Sequence, residues 1–350
     1  MASRRVITIG SFDGVHLGHR ALVTAARARA AREPTPARVV ALAFDPHPLT
    51  HVNPGQAPER LSTFDDRRRW LLEAGADDVV RLDPSPDLLG LTPRAFVEQM
   101  LHAHGVIAFV EGPDFRFGKA RAGTTNTLAD LGRELGFDAI ILPPVEVTLD
   151  DHSIVPASST LCRWLLRQGR VRDAARVLGR PHRVPGTVVP GDRRGRTIGF
   201  PTANIRTDVA LPADGVYAAW ATLPDGRHAP AAVNVGARPT FAGAPPTLEA
   251  HILLTPHAAE GPPPAWAPID GLPEYGWPVA LEFISRLRDQ ARFSGLAALT
   301  SQLRRDCARA ADAAALGIPP IPTTDGHAPT PAPHTHSSSR PLAVTPGAPA

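Results

Sequence analysis

The sequence predicts an α/β parallel-sheet domain, followed by a small antiparallel β-barrel domain with a C-terminal helix. Three observations lead there. Over residues 1–150, short apolar runs alternate with helix-like segments, the pattern of a parallel sheet covered on both faces. From Gly186 to Phe283 short strands are separated by Gly and Pro, the spacing of a small barrel. Residues 286–312 return to helical periodicity. At 350 residues the chain has room for two ordinary domains, and 43% apolar residues suffice for real cores.

In chain order, the sheet strands are expected at Val6–Ile9, Val39–Phe44, Val79–Leu82, Ile107–Glu111 and Ala139–Leu142. The intervening helices are expected at Ala21–Ala31, Thr63–Ala74, Pro93–His104 and Asn126–Leu135. Residues 158–178 read as one further helix, closed by Leu178-Gly179-Arg180-Pro181. The clearest barrel strands are Val216–Ala221, Ala231–Val235, Leu248–Leu254 and Val279–Ile284. The division is therefore 1–180, 181–315 and a tail at 316–350. That tail is rich in Pro, Ala, Ser, Thr and His and reads as disordered, with His334 and His336 solvated.

Charge and composition narrow the function. The isoelectric point is near 9.3, but the net charge is only +3 and acidic residues are spread throughout. Aromatics are not interleaved with basic residues, so no nucleic-acid partner is expected. Two cysteines, Cys162 and Cys307, do not make a disulfide scaffold. No stretch of eighteen apolar residues exists, and Met1–Arg5 runs straight into a strand without an apolar leader. A cytoplasmic protein with no membrane partner is expected. Nothing in the sequence sets an oligomeric state.

Two strings carry chemistry. Residues 6–19, Val-Ile-Thr-Ile-Gly-Ser-Phe-Asp-Gly-Val-His-Leu-Gly-His, form a strand, a glycine-punctuated turn and the start of a helix. Such a unit aims backbone N–H groups and a positive helix end at one spot, which suits a phosphate. His16 and His19 stand on the first helical turn, where they can donate hydrogen bonds to that phosphate. A pair of surface histidines at a cap is the plainer alternative, and two histidines with no third ligand make a poor zinc site. Residues 193–204, Arg-Arg-Gly-Arg-Thr-Ile-Gly-Phe-Pro-Thr-Ala-Asn, place Thr202 and Asn204 beside an arginine-rich turn fixed by Gly199 and Pro201. Small oxygens can hold hydrated Mg²⁺ and arginines can meet phosphate, although a surface turn between strands reads the same way.

Taken together, these strings and five others in the same order resemble the bacterial bifunctional riboflavin kinase/FAD synthetase family over about residues 4–312. Gly10 to His19 is similar to the HxGH motif of nucleotidyltransferases. Phe44-Asp45-Pro46-His47-Pro48 and Gly112–Gly118 match two further strings of the first half. In the second half the resemblance continues through Gly186–Asn204, Asp214–Tyr217, Asn234–Phe241 and Leu248–His251. It implies a nucleotidyltransferase-type, Rossmann-like first domain that adenylylates FMN to FAD, and a kinase barrel that phosphorylates riboflavin to FMN. ATP is co-substrate of both, and Mg²⁺ accompanies it.

By the resemblance, His16 and His19 are catalytic and hold the ATP phosphates, and Gly10, Phe12, Asp13, Gly14 and Gly18 bind ATP and its phosphates with them. Ser158, Ser159, Thr160 and Arg163 hold the outer phosphates. Asp45, His47, Asp114 and Arg116 line the flavin and nucleotide pocket, although a strand-end Asp also commonly caps a turn. In the barrel, Gly191, Gly195 and Arg196 form a loop over the nucleotide, Thr202 and Asn204 bind Mg²⁺, and Glu249 is the catalytic base. Strand alternation puts Glu249 and His251 on one face.

Three departures stand out. Leu161 occupies the place of a family arginine within Ser158-Ser159-Thr160-Leu161-Cys162-Arg163, removing a forked phosphate contact. Thr124-Thr125-Asn126 replaces the usual Gly-Asp pair. Residues 255–273, with Trp266, read as an inserted surface loop. A weakened adenylyltransferase is expected, and a kinase joined to a degenerate first lobe is the nearest rival. A flavin sensor is the third reading, but it has no need of Glu249, Thr202 and Asn204.

Overall fold

A computed structural model describes residues 4–35, 37–236, 247–254 and 268–316. The Ala237–Phe241 end of one kinase string, Trp266 with most of the expected insertion, and the histidines of the tail lie outside the described residues.

The first half is built from β1 (Arg5–Gly10), α1 (Leu17–Ala30), β2 (Arg38–Phe44), α2 (Leu49–Val52), α3 (Phe64–Glu73), β3 (Asp78–Leu82), α4 (Pro86–Leu89), α5 (Pro93–His104), β4 (Val106–Glu111), α6 (Thr125–Leu135) and β5 (Asp138–Ile141). The five strands are parallel in the order β3-β2-β1-β4-β5. Strand order therefore reverses beside β1, and the crevice at the carboxyl ends of β1 and β4 is where ligands bind in such sheets. Alternation along β1 feeds two cores. Val6 packs with Val23, Ala26 and Trp70 of α1 and α3. Ile7 and Ile9 pack with Phe96, Val97, Met100 and Leu128 of α5 and α6. Thr63, Thr92 and Thr124 cap α3, α5 and α6 through their hydroxyls. Thr124, one of the unusual residues after Gly118, therefore has a local structural use.

A small hairpin, β6 (Glu146–Thr148) and β7 (Ile154–Pro156), leads to α7 (Ser159–Arg167) and α8 (Val171–Leu178). The single helix expected over 158–178 is thus two. Gly169 at φ +70° ends the first, because the left-handed backbone reverses the chain at little cost only in glycine.

The barrel is closed in the order β10-β11-β12-β9-β8-β13. Its strands are β8 (His182–Val189), β9 (Ala203–Arg206), β10 (Gly215–Thr222), β11 (His228–Gly236), β12 (Thr247–Ile252) and β13 (Pro278–Arg288), with a short α9 (Arg194–Thr197) between β8 and β9. Helix α10 (Leu296–Leu316) follows. Residues 286–288, expected to be helical, complete β13 instead. Arg286 and Arg288 there pair with Tyr217 and Val216 of β10, and the Arg288 side chain reaches Asp306 of α10 at 2.7 Å. Leu316 belongs to that helix rather than to the tail.

The barrel core does not stop at the barrel. Leu165, Leu166, Val171 and Val177 of α7 and α8 pack in one cluster with Val184, Tyr217 and Phe283. Polar contacts also join the sheet to the barrel. Arg183 of β8 holds both carboxylate oxygens of Asp66 at 2.7 and 2.9 Å. Ala210 N–H donates to Arg60 O at 2.7 Å, and the Arg60 side chain reaches Asp208 at 2.8 Å.

Candidate active sites

The first site lies at the carboxyl edge of the sheet. The turn after β1 is conformationally costly: Phe12, Gly14 and Val15 all have positive φ, at +48°, +82° and +40°. Such backbone costs a non-glycine residue about 1–3 kcal/mol and persists only where neighbours hold it. Here they do. Asp13 accepts from Leu61 N–H at 2.9–3.0 Å and from Ser62 Oγ at 2.9 Å, and it pairs with Arg163. Gly14 N–H donates to Ser62 Oγ at 2.8 Å, and Ser159 Oγ donates to Asp13 O at 2.7 Å.

The turn delivers His16 as the residue before α1 and His19 into its first turn. Their rings stack 3.6 Å apart, and no side chain caps the helix. Its first N–H groups therefore have no partner within the helix. Nδ1 of both histidines is buried without a hydrogen-bond partner. Burial, with the positive charges of Arg180 and Arg163, lowers His16 to about 4. Burial, His16 and the nearby arginines push His19 well below its ordinary range. Both rings are neutral at pH 7, and each offers one N–H donor.

The remaining first-half residues fall into two groups. Asp45, at the end of β2, is held by Arg67, by Arg60 at 3.2 Å and by Arg81 at 3.4 Å. His47 is half-buried, accepts from Leu49 N–H at 3.2 Å, and is lowered by burial and by Arg163. Asp114 and Arg116 follow β4 and are exposed. Ser158 caps α7 by accepting from Leu161 N–H at 3.1 Å, and Leu161 packs against the barrel-side core. Thr160, Arg163 and Arg167 face Gly55–Glu59 across an open cavity of about 320 Å³. Arg163 is committed to Asp13 and to Glu59 O at 2.7 Å, so it braces the turn. Gly10 sets its backbone against the Phe12 ring, and Gly18 lies against the His16 ring.

Several residues that matter here carry no motif. Arg67 donates to Ser11 O at 2.7 Å and Phe44 O at 2.8 Å, joining the ends of β1 and β2. Glu111, fully buried at the end of β4, accepts from Ile9 N–H at 2.8 Å, and burial raises its carboxyl well above the usual range. Within Arg67-Arg68-Arg69 only burial separates the first residue from the third, and sequence holds no signal for that.

The second site lies on the barrel. Antiparallel pairing sets Asn234 of β11, Glu249 of β12 and Asn204 of β9 side by side in one cross-strand row. Leu248 and Ala250 point into the core, so Glu249 and His251 share the other face. His251 Nδ1 donates to Pro201 O at 2.7 Å, which ties the Pro-Thr-Ala-Asn turn to β12. Thr202 is exposed and Asn204 half-buried. The backbone at Gly191 passes so close to the Asn204 amide that a Cβ there would overlap it, and one at Gly195 would overlap Phe200 O. Arg196 is drawn to Glu274 at 2.6 Å and to Tyr275 Oη at 3.1 Å, with Arg193 also on Tyr275 at 3.0 Å. The expected phosphate-facing loop is thus latched to the segment before β13.

A magnesium ion favours hard oxygens, keeps several waters and is commonly shared with substrate phosphates. Thr202, Asn204 and Glu249 supply such oxygens. No cluster of three or more His, Cys, Asp or Glu that could hold a metal occurs among the described residues.

A family model described as FAD synthetase matches residues 1–157, and one described as riboflavin kinase matches residues 178–314. A bifunctional riboflavin kinase/FMN adenylyltransferase of Escherichia coli (strain K12) is 34% identical over 304 residues, covering 86% of this chain and 90% of that protein. The Bacillus subtilis (strain 168) protein so named is 31% identical over 310 residues, covering 87% and 90%. A crystal structure described as a macrolide-efflux protein from Streptococcus pneumoniae superposes with a TM-score of 0.74 at 29% identity, covering 87% of this chain and 93% of that one. Among the described residues, no helix is long and apolar enough to cross a membrane.

Proposed function

This chain belongs to the bifunctional riboflavin kinase/FMN adenylyltransferase family, and we propose that its two ATP-dependent reactions divide between the two sites, adenylyl transfer to residues 1–180 and phosphoryl transfer to residues 181–315. The observation that supports the division is that the two donor sets stand on different sheets: a neutral imidazole pair on the helix that follows β1 of the parallel sheet, and a carboxylate in register with Asn204 in the barrel.

In the first site, an FMN phosphate oxygen attacks the α-phosphorus of ATP. The new P–O bond forms as the bond to the β-phosphate oxygen breaks, and pyrophosphate leaves. Such a displacement needs positioning and charge stabilisation more than covalent chemistry. His16 and His19 donate to phosphate oxygens, and the N–H groups that open α1 add to them. Asp45, His47, Asp114 and Arg116 line the approach. Ser158, Ser159 and Thr160 lie on the side of the outer phosphates, where Leu161 supplies no second guanidinium.

In the second site, Glu249 takes the proton from riboflavin's terminal ribityl hydroxyl, whose oxygen attacks the γ-phosphorus, and ADP leaves. Thr202 and Asn204 would hold a magnesium ion through their side-chain oxygens, and the ion would supply neutralisation of phosphate charge. The Gly191–Arg196 loop covers the nucleotide once Arg196 exchanges Glu274 for it. We place the enzyme in the cytoplasm, where ATP is made available to both reactions. Incubation with riboflavin, ATP and Mg²⁺ followed by chromatography tests the whole: FMN and then FAD are expected, and FMN alone would leave the first lobe without its reaction.

A further inference from the structure

The braces of the first turn include one residue from outside it. Arg180 lies in the segment between α8 and β8, after Gly179, which closes α8 at φ +72°. Its guanidinium reaches back 165 and 166 residues. One nitrogen donates to Val15 O at 3.1 Å and also to Leu178 O at 3.1 Å, and the other donates to Gly14 O. The guanidinium carbon sits 3.3 Å over the ring of Trp70, a buried residue of α3. The group is thus clamped between an aromatic face and three carbonyls, two of them in the turn, a geometry that a planar fork satisfies and a single ammonium does not.

What it clamps is the costly part of the turn. Gly14 and Val15 both have positive φ, and Val15 is β-branched. In a planar trans peptide the C=O of one residue and the N–H of the next point in opposite directions. Holding Val15 O toward Arg180 therefore turns His16 N–H away from Arg180, at the N-terminus of α1 beside the stacked imidazoles. We propose that Arg180 is a positioning residue for adenylyl transfer, which fixes from the lobe junction the donor geometry that the nucleotide phosphates meet. This rests on the assignment of adenylyl transfer to the His16/His19 turn.

The test is steady-state kinetics of both reactions on full-length Arg180→Gln and Arg180→Lys, beside His19→Ala. Arg180→Gln should lower kcat for FAD formation about 10- to 100-fold, the range over which misplaced donors cost rate. KM for FMN should move less than threefold and riboflavin phosphorylation less than twofold. Arg180→Lys, able to reach one carbonyl, should fall between Arg180→Gln and wild type. If Arg180→Gln does not fold by thermal unfolding, Arg180→Lys is read by the same criteria. FAD kcat within threefold of wild type in Arg180→Gln (or in Arg180→Lys, should Gln not fold), with His19→Ala lowered about 100-fold or more, overturns the inference. An equal loss of both reactions would reduce Arg180 to a structural brace and overturn it too. Full FAD formation by His19→Ala would instead remove the site assignment.

Discussion

On the proposed assignment, the two lobes prepare for the same anionic tail in different ways. The sheet lobe stores backbone strain in one turn and surrounds it with fixed partners: Asp13 with Leu61, Ser62 and Arg163, and Arg180 on two carbonyls. Its donors are set before any nucleotide arrives. The barrel instead aligns Asn204 and Glu249 by strand register, and leaves its arginine loop latched to Glu274 and Tyr275 by an exchangeable ion pair. Sheet register is rigid and costs no strain, whereas the proposed phosphate role of Arg196 requires it to give up Glu274. One candidate site is held by bracing, the other by strand pairing and an ion pair on its arginine loop.

Substitutions can break this contrast, beginning with the largest effect. Glu249→Gln should lower FMN formation by about 10²–10⁴-fold, the usual worth of a general base, while riboflavin binding by fluorescence and FAD formation from supplied FMN persist. Near-normal kinase turnover would remove Glu249 from its role. His19→Ala should cost FAD formation roughly 10²–10³-fold, as loss of a transition-state donor does, with phosphorylation of riboflavin intact.

Acid should weaken both lobes, since burial lowers His16 in the sheet lobe and His182 in the barrel to about 4, and pushes His19 beside His16 well below its ordinary range as well. Unfolding returns each to about 6.5. Between those values the unfolded chain binds the extra proton, so stability is complete above pH 6.5 and declines as pH falls to 4, on the order of 3 kcal/mol per histidine. Calorimetry across that range measures it, and a flat Tm would contradict it.

A smaller effect is expected from Leu161→Arg, which should raise FAD formation up to about tenfold by restoring a forked phosphate contact. No gain would mean that the helix start does not face the phosphates. Smallest is Glu274→Gln, which should shift the kinase KM for ATP a few-fold by loosening the latch and leave FAD formation unchanged. An unchanged KM would show that the latch does not compete with ATP.

Much of this arrangement was legible in the primary structure. The five sheet strands are apolar runs because both faces of a parallel sheet are covered, and the motif residues fall at strand ends where the chain must turn. The break at Gly169 was hidden because the apolar positions of α7 and α8 keep helical spacing across it. The end of β13 reads as helix in sequence because Arg286 and Arg288 look solvent-facing until their partners on β10 and α10 are known. The braces were out of reach for a similar reason. Ser62, Arg67 and Arg180 touch the first turn from 48 to 166 residues away, and nothing local distinguishes them from ordinary surface residues.

Helices α7 and α8 have a practical consequence for anyone wishing to separate the two activities. Their apolar faces complete the barrel's interior, yet Ser159 and Arg163 on the first of them steady the turn after β1. A gene cut before Ser158 takes those two props from the sheet; a cut after Arg180 strips a wall from the barrel. No single scissor site between residues 157 and 181 leaves both fragments whole, so the pair is better dissected by point changes than by truncation.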